Sequence, residues 1–234
     1  MFNVLASPEE VFREIKERPV EHSNWIWPAI IWSLIGIICV ELLFSQEWAL
    51  HEIQKGQEKA MEAQVAAGKM TQAQADQATQ WMGKFMPIMM KVGGVIVQLI
   101  MAFGVPFFWG FILWLVGVRF FKADFEYMKG VEAAGLAMII YLIAGVIGIL
   151  FSFAMGKLST ISAAFFLPEF DFTRKSHFAL GALNPFYLWF AAVMASATAV
   201  LAGVPWGKAA VAVFVAWILS RVVLIFLNLG QFVM

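Results

Sequence analysis

The chain has 234 residues, of which 62% are hydrophobic and 14% are charged, and its mean hydropathy is +0.79. Soluble domains are about half apolar and about a quarter charged, so this composition indicates a protein embedded in a lipid bilayer. Its 16 basic and 16 acidic residues cancel, which argues against a basic surface for nucleic acid. The single cysteine, Cys39, lies in an apolar run and cannot form a disulfide within the chain.

Residues 1–24 predict a short amphipathic helix. Ser7-Pro8-Glu9-Glu10 combines an N-cap serine, a first-turn proline and the glutamate of a capping box. Val11, Phe12 and Ile15 then share one face, and Pro19 ends the pattern. We expect this helix to lie on the bilayer surface; the alternative is a solvated arm that docks onto a partner. The segment is rich in glutamate and shows no cleavable signal peptide.

Five apolar segments are long enough to cross a hydrocarbon core of about 30 Å. They predict an all-α, polytopic integral membrane protein whose membrane domain covers residues 25–234. The second segment is longer than a bilayer requires and continues from the polar helix before it without a stop signal. The predicted spans cover residues of about 25–44, 86–118, 131–153, 186–204 and 208–229.

The insert at residues 45–85 is polar and rich in alanine and glutamine, which favours helix. Gly68 interrupts it, and Thr71 with Gln74 forms a second capping box. We therefore expect a helical hairpin outside the membrane.

The distribution of basic residues gives a weak signal for orientation. Five spans place the two chain ends on opposite sides, and equal numbers of loop lysines and arginines fall on each side. The densest short loop, Arg119–Lys129, favours the cytoplasmic side. We therefore expect a cytoplasmic N-terminus.

Two charges lie at comparable depth in the predicted spans. Glu41 is roughly 24 Å along the first span and Arg221 is roughly 20 Å along the last. An unpaired arginine at mid-bilayer costs at least about 2.5–3.5 kcal/mol, so a carboxylate at the same height is its natural partner. We predict an ion pair between them, with Gln98 and Asn228 as further hydrogen-bond partners. Such a pair either locks helix packing or belongs to an ion pathway.

Lys84, Lys91 and Gln98 are spaced seven residues apart and form a polar stripe along the second span. The lysines either extend to a membrane edge or line a polar cavity. Lys91 and Gln98, together with Glu41 and Arg221, are therefore the candidate residues of a polar intramembrane pathway.

Small residues recur at every fourth position of the fourth span, at Ala191, Ala195, Ala199 and Gly203. This spacing clears one helix face of bulky side chains, so that another backbone can approach closely in lipid. It predicts a helix-packing face, used within one chain or between copies.

The sequence shows no catalytic, cofactor or metal motif. His51-Glu52 lacks the second histidine four residues on that a zinc protease helix requires. A Gly-x-Ser-x-Gly elbow and a phosphate-binding glycine loop are also absent. We therefore expect a protein that is not an enzyme and carries no cofactor.

Three segments resemble the bacterial branch of the Yip1 domain family: Ser7–Ile15 near the start, and Asn184–Trp189 and Gly203–Ala210 near the end. The resemblance implies a five-span integral membrane protein with a cytoplasmic N-terminus, and it supplies no catalytic residues. It also implies a link to vesicle trafficking and Rab-type GTPases in eukaryotic relatives, which carry long N-terminal regions. About 24 residues precede the first span here, so a Rab-type GTPase is not the expected partner and a bacterial inner membrane is the expected location.

Two functions follow from these features. The first is a scaffold that organises the membrane and self-associates as a homo-oligomer through small-residue faces. The second is a small channel or transporter built around Glu41, Lys91, Gln98 and Arg221. An intramembrane enzyme has the least support, because no catalytic motif accompanies the spans.

Overall fold

The computed structural model of the chain describes residues 2–168, 170–171, 174–227 and 229. These residues form helices and connecting turns, with no β-strand among them. The α-helices in this part of the chain are α1 (Pro8–Glu17), α2 (Ser23–Leu43), α3 (Glu47–Ala66), α4 (Gln72–Leu115), α5 (Tyr127–Ala137), α6 (Ile139–Met155), α7 (Lys175–Ala182), α8 (Pro185–Ala202) and α9 (Trp206–Phe226).

Five helical stretches in the described residues are long and apolar enough to cross a membrane, which confirms the predicted number of spans. The second begins inside α4, and the third combines α5 and α6 across a single break at Met138. The five stretches are Ser23–Leu43, Gly83–Phe120, Tyr127–Met155, Pro185–Ala202 and Trp206–Phe226.

One of the two predicted capping boxes is present. The Thr71 hydroxyl accepts a hydrogen bond from the Gln74 N–H, and the Gln74 side chain accepts one from the Thr71 N–H. The box at Ser7 and Glu10 is wrong, because the Ser7 side chain makes no cap bond. Ser7 has φ −134° and ψ 62°, outside the extended conformation that directs an N-cap oxygen to the first-turn amides.

α4 is a 44-residue helix that runs from the insert into the membrane without interruption. α3 precedes it across a turn at Gly68, whose φ of +69° favours glycine. The base of α3 is tied to the end of the third span, since Trp48 packs edge-on against Phe153 and the Glu52 carboxylate accepts the Leu158 N–H at 2.5 Å. It stays a prediction that α3 and the first part of α4 lie outside the membrane.

α5 is the central helix of the bundle. Every residue from Lys129 to Ala137 is buried, and α5 packs against α1, α2, α4 and α8. It crosses α4 closely: a Cβ added to Gly110 would lie 2.6 Å from the Val131 backbone nitrogen, and one added to Gly130 would lie 2.6 Å from the Gly110 carbonyl oxygen. The two backbones therefore touch at a pair of glycines.

α8 and α9 form the hairpin that closes the other side of the bundle. Asn184 caps α8 by accepting the Phe186 N–H at 2.9 Å. Gly203 ends α8 with φ +67°, and the next N–H, at Val204, bonds back to the Ala199 carbonyl at 3.0 Å. The main apolar core lies between this hairpin, α1, α4, α5 and α6.

Candidate functional site

The most buried charges of the structure lie one turn apart on α5. The Glu132 side chain is 1% exposed and the Lys129 side chain 10% exposed, and their Oε2 and Nζ atoms are 3.2 Å apart. Asn24, in the first turn of α2, donates its side-chain N–H to Glu132 Oε1 at 2.6 Å. A counter-charge and hydrogen-bond donors offset the cost of burying a carboxylate.

Lys129 also holds the N-terminal helix. Its ammonium donates to the carbonyl oxygens of Ile15, at 2.5 Å, and Arg18, at 2.6 Å. These carbonyls belong to the C-terminal end of α1, where backbone acceptors lack partners within the helix and a cation is favourable. Asn24, Lys129 and Glu132 therefore join α1, α2 and α5, and we refer to these three residues as the polar centre.

The apolar stripe of α1 packs on the bundle. Phe12 is fully buried and Ile15 nearly so, and α1 contacts α8 and α5. Lys16 adds a hydrogen bond from its ammonium to the Val200 carbonyl at 2.7 Å. The structure thus turns the stripe towards protein, which differs from a helix whose apolar face enters the lipid.

The sequence prediction missed the polar centre. It began the third span at residue 131 and assigned Lys129 to a loop, whereas the structure buries Lys129 inside α5. A lysine and a glutamate three residues apart at the start of an apolar run were the available signal, because side chains at i and i+3 share a helix face.

The predicted ion pair between Glu41 and Arg221 is wrong. Glu41 pairs instead with Lys91, with 3.3 Å between Oε2 and Nζ, and the same ammonium donates to the Ser45 hydroxyl at 2.9 Å. The physical reason is lateral position: α2 packs against α4, α5 and α6, whereas α9 packs against α7 and α8. Equal depth along two helices does not make them neighbours.

Gln98 lies on the same contact between α2 and α4. Its side-chain amide donates to the Trp32 carbonyl at 2.9 Å. The space for that side chain comes from Gly36, where an added Cβ would lie 2.1 Å from Gln98 Nε2. Gln98 therefore links α2 and α4 through a hydrogen bond, and the Lys91–Glu41 ion pair links the same two helices.

Arg221 lies apart from these residues, among aromatic side chains. Its guanidinium carbon is 5.3 Å from the centre of the Tyr187 ring and 5.6 Å from that of the Trp217 ring. Such cation–π contacts are worth about 0.5–2 kcal/mol each when partly desolvated. Asn228, the other predicted partner, lies outside the described residues.

A double-mutant cycle tests the revised pairing. We expect Glu41→Gln and Lys91→Gln to show a coupling of about 0.2–1 kcal/mol in unfolding experiments, since both side chains are about a third to a half exposed and are screened. The matched cycle of Glu41→Gln with Arg221→Gln should show a coupling near zero. A coupling confined to Glu41 and Arg221 would contradict the geometry found here.

The small residues of α8 divide into two groups. Ala191 and Ala195 are fully buried within the protomer. Ala199 is partly exposed and Gly203 is exposed. Both line a cavity between α1 and the turn that joins α8 to α9. Ala191 and Ala195 therefore face this chain's own core, whereas Ala199 and Gly203 face the cavity.

The described residues contain no group of three or more His, Cys, Asp or Glu side chains that could hold a metal ion. His51 and Glu52, considered above, lie on α3.

Taken together, the five apolar spans and the buried polar contacts between them define a polytopic α-helical integral membrane protein. The chain belongs to the Yip1 domain family: the model for the Yip1 domain matches residues 2–227. This match confirms the family resemblance seen near both ends of the sequence. No curated protein and no solved structure matches the chain.

Proposed function

We propose that this protein is a non-enzymatic scaffold that self-associates and organises a bacterial inner membrane, with its N-terminus in the cytoplasm. The observation that supports it best is the use made of the polar residues inside the spans. Gln98, the Lys91–Glu41 pair and the polar centre each connect neighbouring helices. In a membrane such contacts stabilise a helix bundle, whereas a transport path requires polar groups that converge on one cavity.

The outer faces of the bundle support self-association. α4 presents exposed apolar side chains, including Val92 and Ile96, along most of its membrane segment. Gly93 and Gly104 lie on that helix with nothing within 4 Å of an added Cβ. Close approach of a second helix in lipid is favoured where side chains are small.

Self-association can be measured by single-molecule photobleaching of the labelled protein in liposomes. We expect dimers or larger assemblies in the wild type and a lower oligomer fraction in Gly93→Leu, because the added side chain would separate the helices. Val92→Leu, at the adjacent exposed position, is the matched control and should leave assembly unchanged. A protein that is monomeric at every lipid ratio would contradict the scaffold proposal.

A channel or transporter is the alternative, and thiol labelling distinguishes it. In a Cys39→Ala background, cysteine at Gln98 or Arg221 should react with a membrane-impermeant reagent only if water reaches those positions. We expect neither to be labelled. Cysteine at the exposed Ser45 should react if the reagent reaches that side, and it serves as the positive control. Rapid labelling at Gln98 and Arg221, together with ion flux in liposomes, would favour transport.

A further inference from the structure

A cavity of about 410 Å³ opens between α1 and the turn from α8 to α9. Arg13 and Lys16 of α1 form one wall, and Ser196 of α8 forms part of the other. Gly203 and Trp206 close the end at the turn. The cavity thus combines two cationic side chains with a mostly small-residue helix face.

The cavity lies at the ends of two membrane spans, where lipid headgroups are expected. The turn that borders it joins two membrane spans. Trp206 is the first residue of the last span and is about half exposed. Its indole N–H donates to the Ser196 hydroxyl at 3.0 Å. Tryptophan at a span end with a hydrogen-bonded N–H is typical of the membrane–water interface.

The two cations share one face of α1, because they are three residues apart. Lys16 uses one donor on the Val200 carbonyl at 2.7 Å, and an ammonium has two more. Gly203 leaves the space above it open, since an added Cβ would lie 3.8 Å from Lys16 Nζ. The Lys16 ammonium in the cavity wall therefore has two N–H donors that can bind a ligand.

Arg13 is the second donor and is easily redirected. It pairs with Glu9 at 2.5 Å, but both side chains are about two-thirds exposed, and exposed pairs of this kind contribute little to stability. Glu9 also lines the cavity. Its carboxylate can accept hydrogen bonds from hydroxyl groups of a ligand.

An apolar surface continues from the cavity along α8. Ala192 lies four residues before Ser196, and Trp189 lies three residues before Ala192, so the three share one helix face. Ala192 is partly exposed and Trp189 is exposed. An acyl chain beside this face would run from the headgroup level towards the bilayer centre.

We propose that this cavity binds the headgroup of an anionic glycerophospholipid. The phosphodiester contacts Arg13 and Lys16, the headgroup hydroxyls donate to Glu9, and one acyl chain follows Ala192 and Trp189. The site is independent of self-association, so a failure of either proposal leaves the other standing.

Native mass spectrometry of the full-length protein in detergent tests the site. The probes are dioleoyl phosphatidylglycerol and dioleoyl phosphatidylcholine, which share acyl chains and differ in headgroup charge. We expect tighter retention of phosphatidylglycerol, and a loss of roughly thirtyfold in the double variant Arg13→Gln/Lys16→Gln, because both basic side chains attract the anionic headgroup. Arg13→Gln alone should lose part of the preference for phosphatidylglycerol. Because it alters only an exposed side chain, it is the variant to measure if the double variant does not fold.

Arg18→Gln is the matched control. Arg18 is also an arginine of the N-terminal segment paired with a glutamate four residues earlier, but it does not line the cavity. Its contact with Lys129 is through its backbone carbonyl, which the substitution keeps. Equal retention of the two lipids, or an equal loss in Arg18→Gln, would overturn the proposal. Displacement by soluble glycerol 1-phosphate at the lipid's own concentration would overturn the assignment to a lipid.

Discussion

Replacing Lys129 with methionine is expected to destabilise the protein by about 3–5 kcal/mol, because it leaves the buried Glu132 carboxylate without its counter-charge. Methionine keeps the unbranched stem but removes the bonds to Glu132, Ile15 and Arg18. The end of α1 then loses the cation that satisfies its carbonyls. We expect α1 to detach from the bundle before the spans unfold.

Two measurements check this result. Unfolding in mixed detergent micelles gives the loss in stability, and trypsin cleavage at Arg13 or Lys16 reports whether α1 has detached. Lys208→Met is the control, since Lys208 is exposed at the start of α9. We expect it to match the wild type in both assays.

A second substitution separates the charge effect from a general loss of packing. Glu132→Gln added to Lys129→Met removes the unpaired buried charge, so the double variant should be more stable than Lys129→Met alone. If Lys129→Met changes stability by less than about 1 kcal/mol, or if Glu132→Gln adds a further full loss, the polar centre does not hold the helices as described.

The number of spans could be predicted, because each span is an independent property of a local segment. Length and hydropathy decide whether a helix can cross the bilayer. Local capping chemistry decided the start of α4 at Thr71, and Gly203 ended α8 where a residue with positive φ was needed. Capping was not predicted correctly at Ser7. The sequence there has the pattern of a capping box, but the backbone conformation does not allow the Ser7 side chain to cap α1.

The pairing of charges could not be predicted, because it depends on which helices are neighbours. Depth along the membrane normal can be counted from sequence, and by that measure Glu41 and Arg221 match. Lateral position is set by packing among all the helices. Lys91 is closer to Glu41 because α4 packs against α2, and no periodicity within one segment carries that information.

Small residues show the same limit. The regular series on α8 was visible in sequence, and Ala191 and Ala195 are indeed buried. A close backbone contact also occurs between Gly110 and Gly130, however, and these glycines belong to no such series. Gly145 and Gly148, which are three residues apart, have nothing within 4 Å of an added Cβ. Spacing identifies a face that permits close packing, and only the fold decides which face is used.

Gly110→Ala is expected to destabilise the protein by about 1–3 kcal/mol or more, the range for overpacked interiors. The added Cβ would lie 2.6 Å from the Val131 nitrogen and 2.7 Å from the Val131 Cα. These are backbone atoms of the central helix, so relief requires α4 and α5 to move apart. Gly130→Ala inserts a methyl group into the same contact and should have a similar effect.

Gly104→Ala provides the matched comparison, because it makes the same chemical change on the same helix. Nothing lies within 4 Å of a Cβ at Gly104, and alanine favours helix over glycine by up to about 1 kcal/mol. We expect this variant to equal or exceed the wild type in thermal unfolding monitored by tryptophan fluorescence, while Gly110→Ala unfolds at a lower temperature. Because Gly110 and Gly130 share one contact, the double alanine variant should cost less than the two single losses added together. Equal stabilities for Gly104→Ala and Gly110→Ala would mean that α4 and α5 do not cross at these glycines.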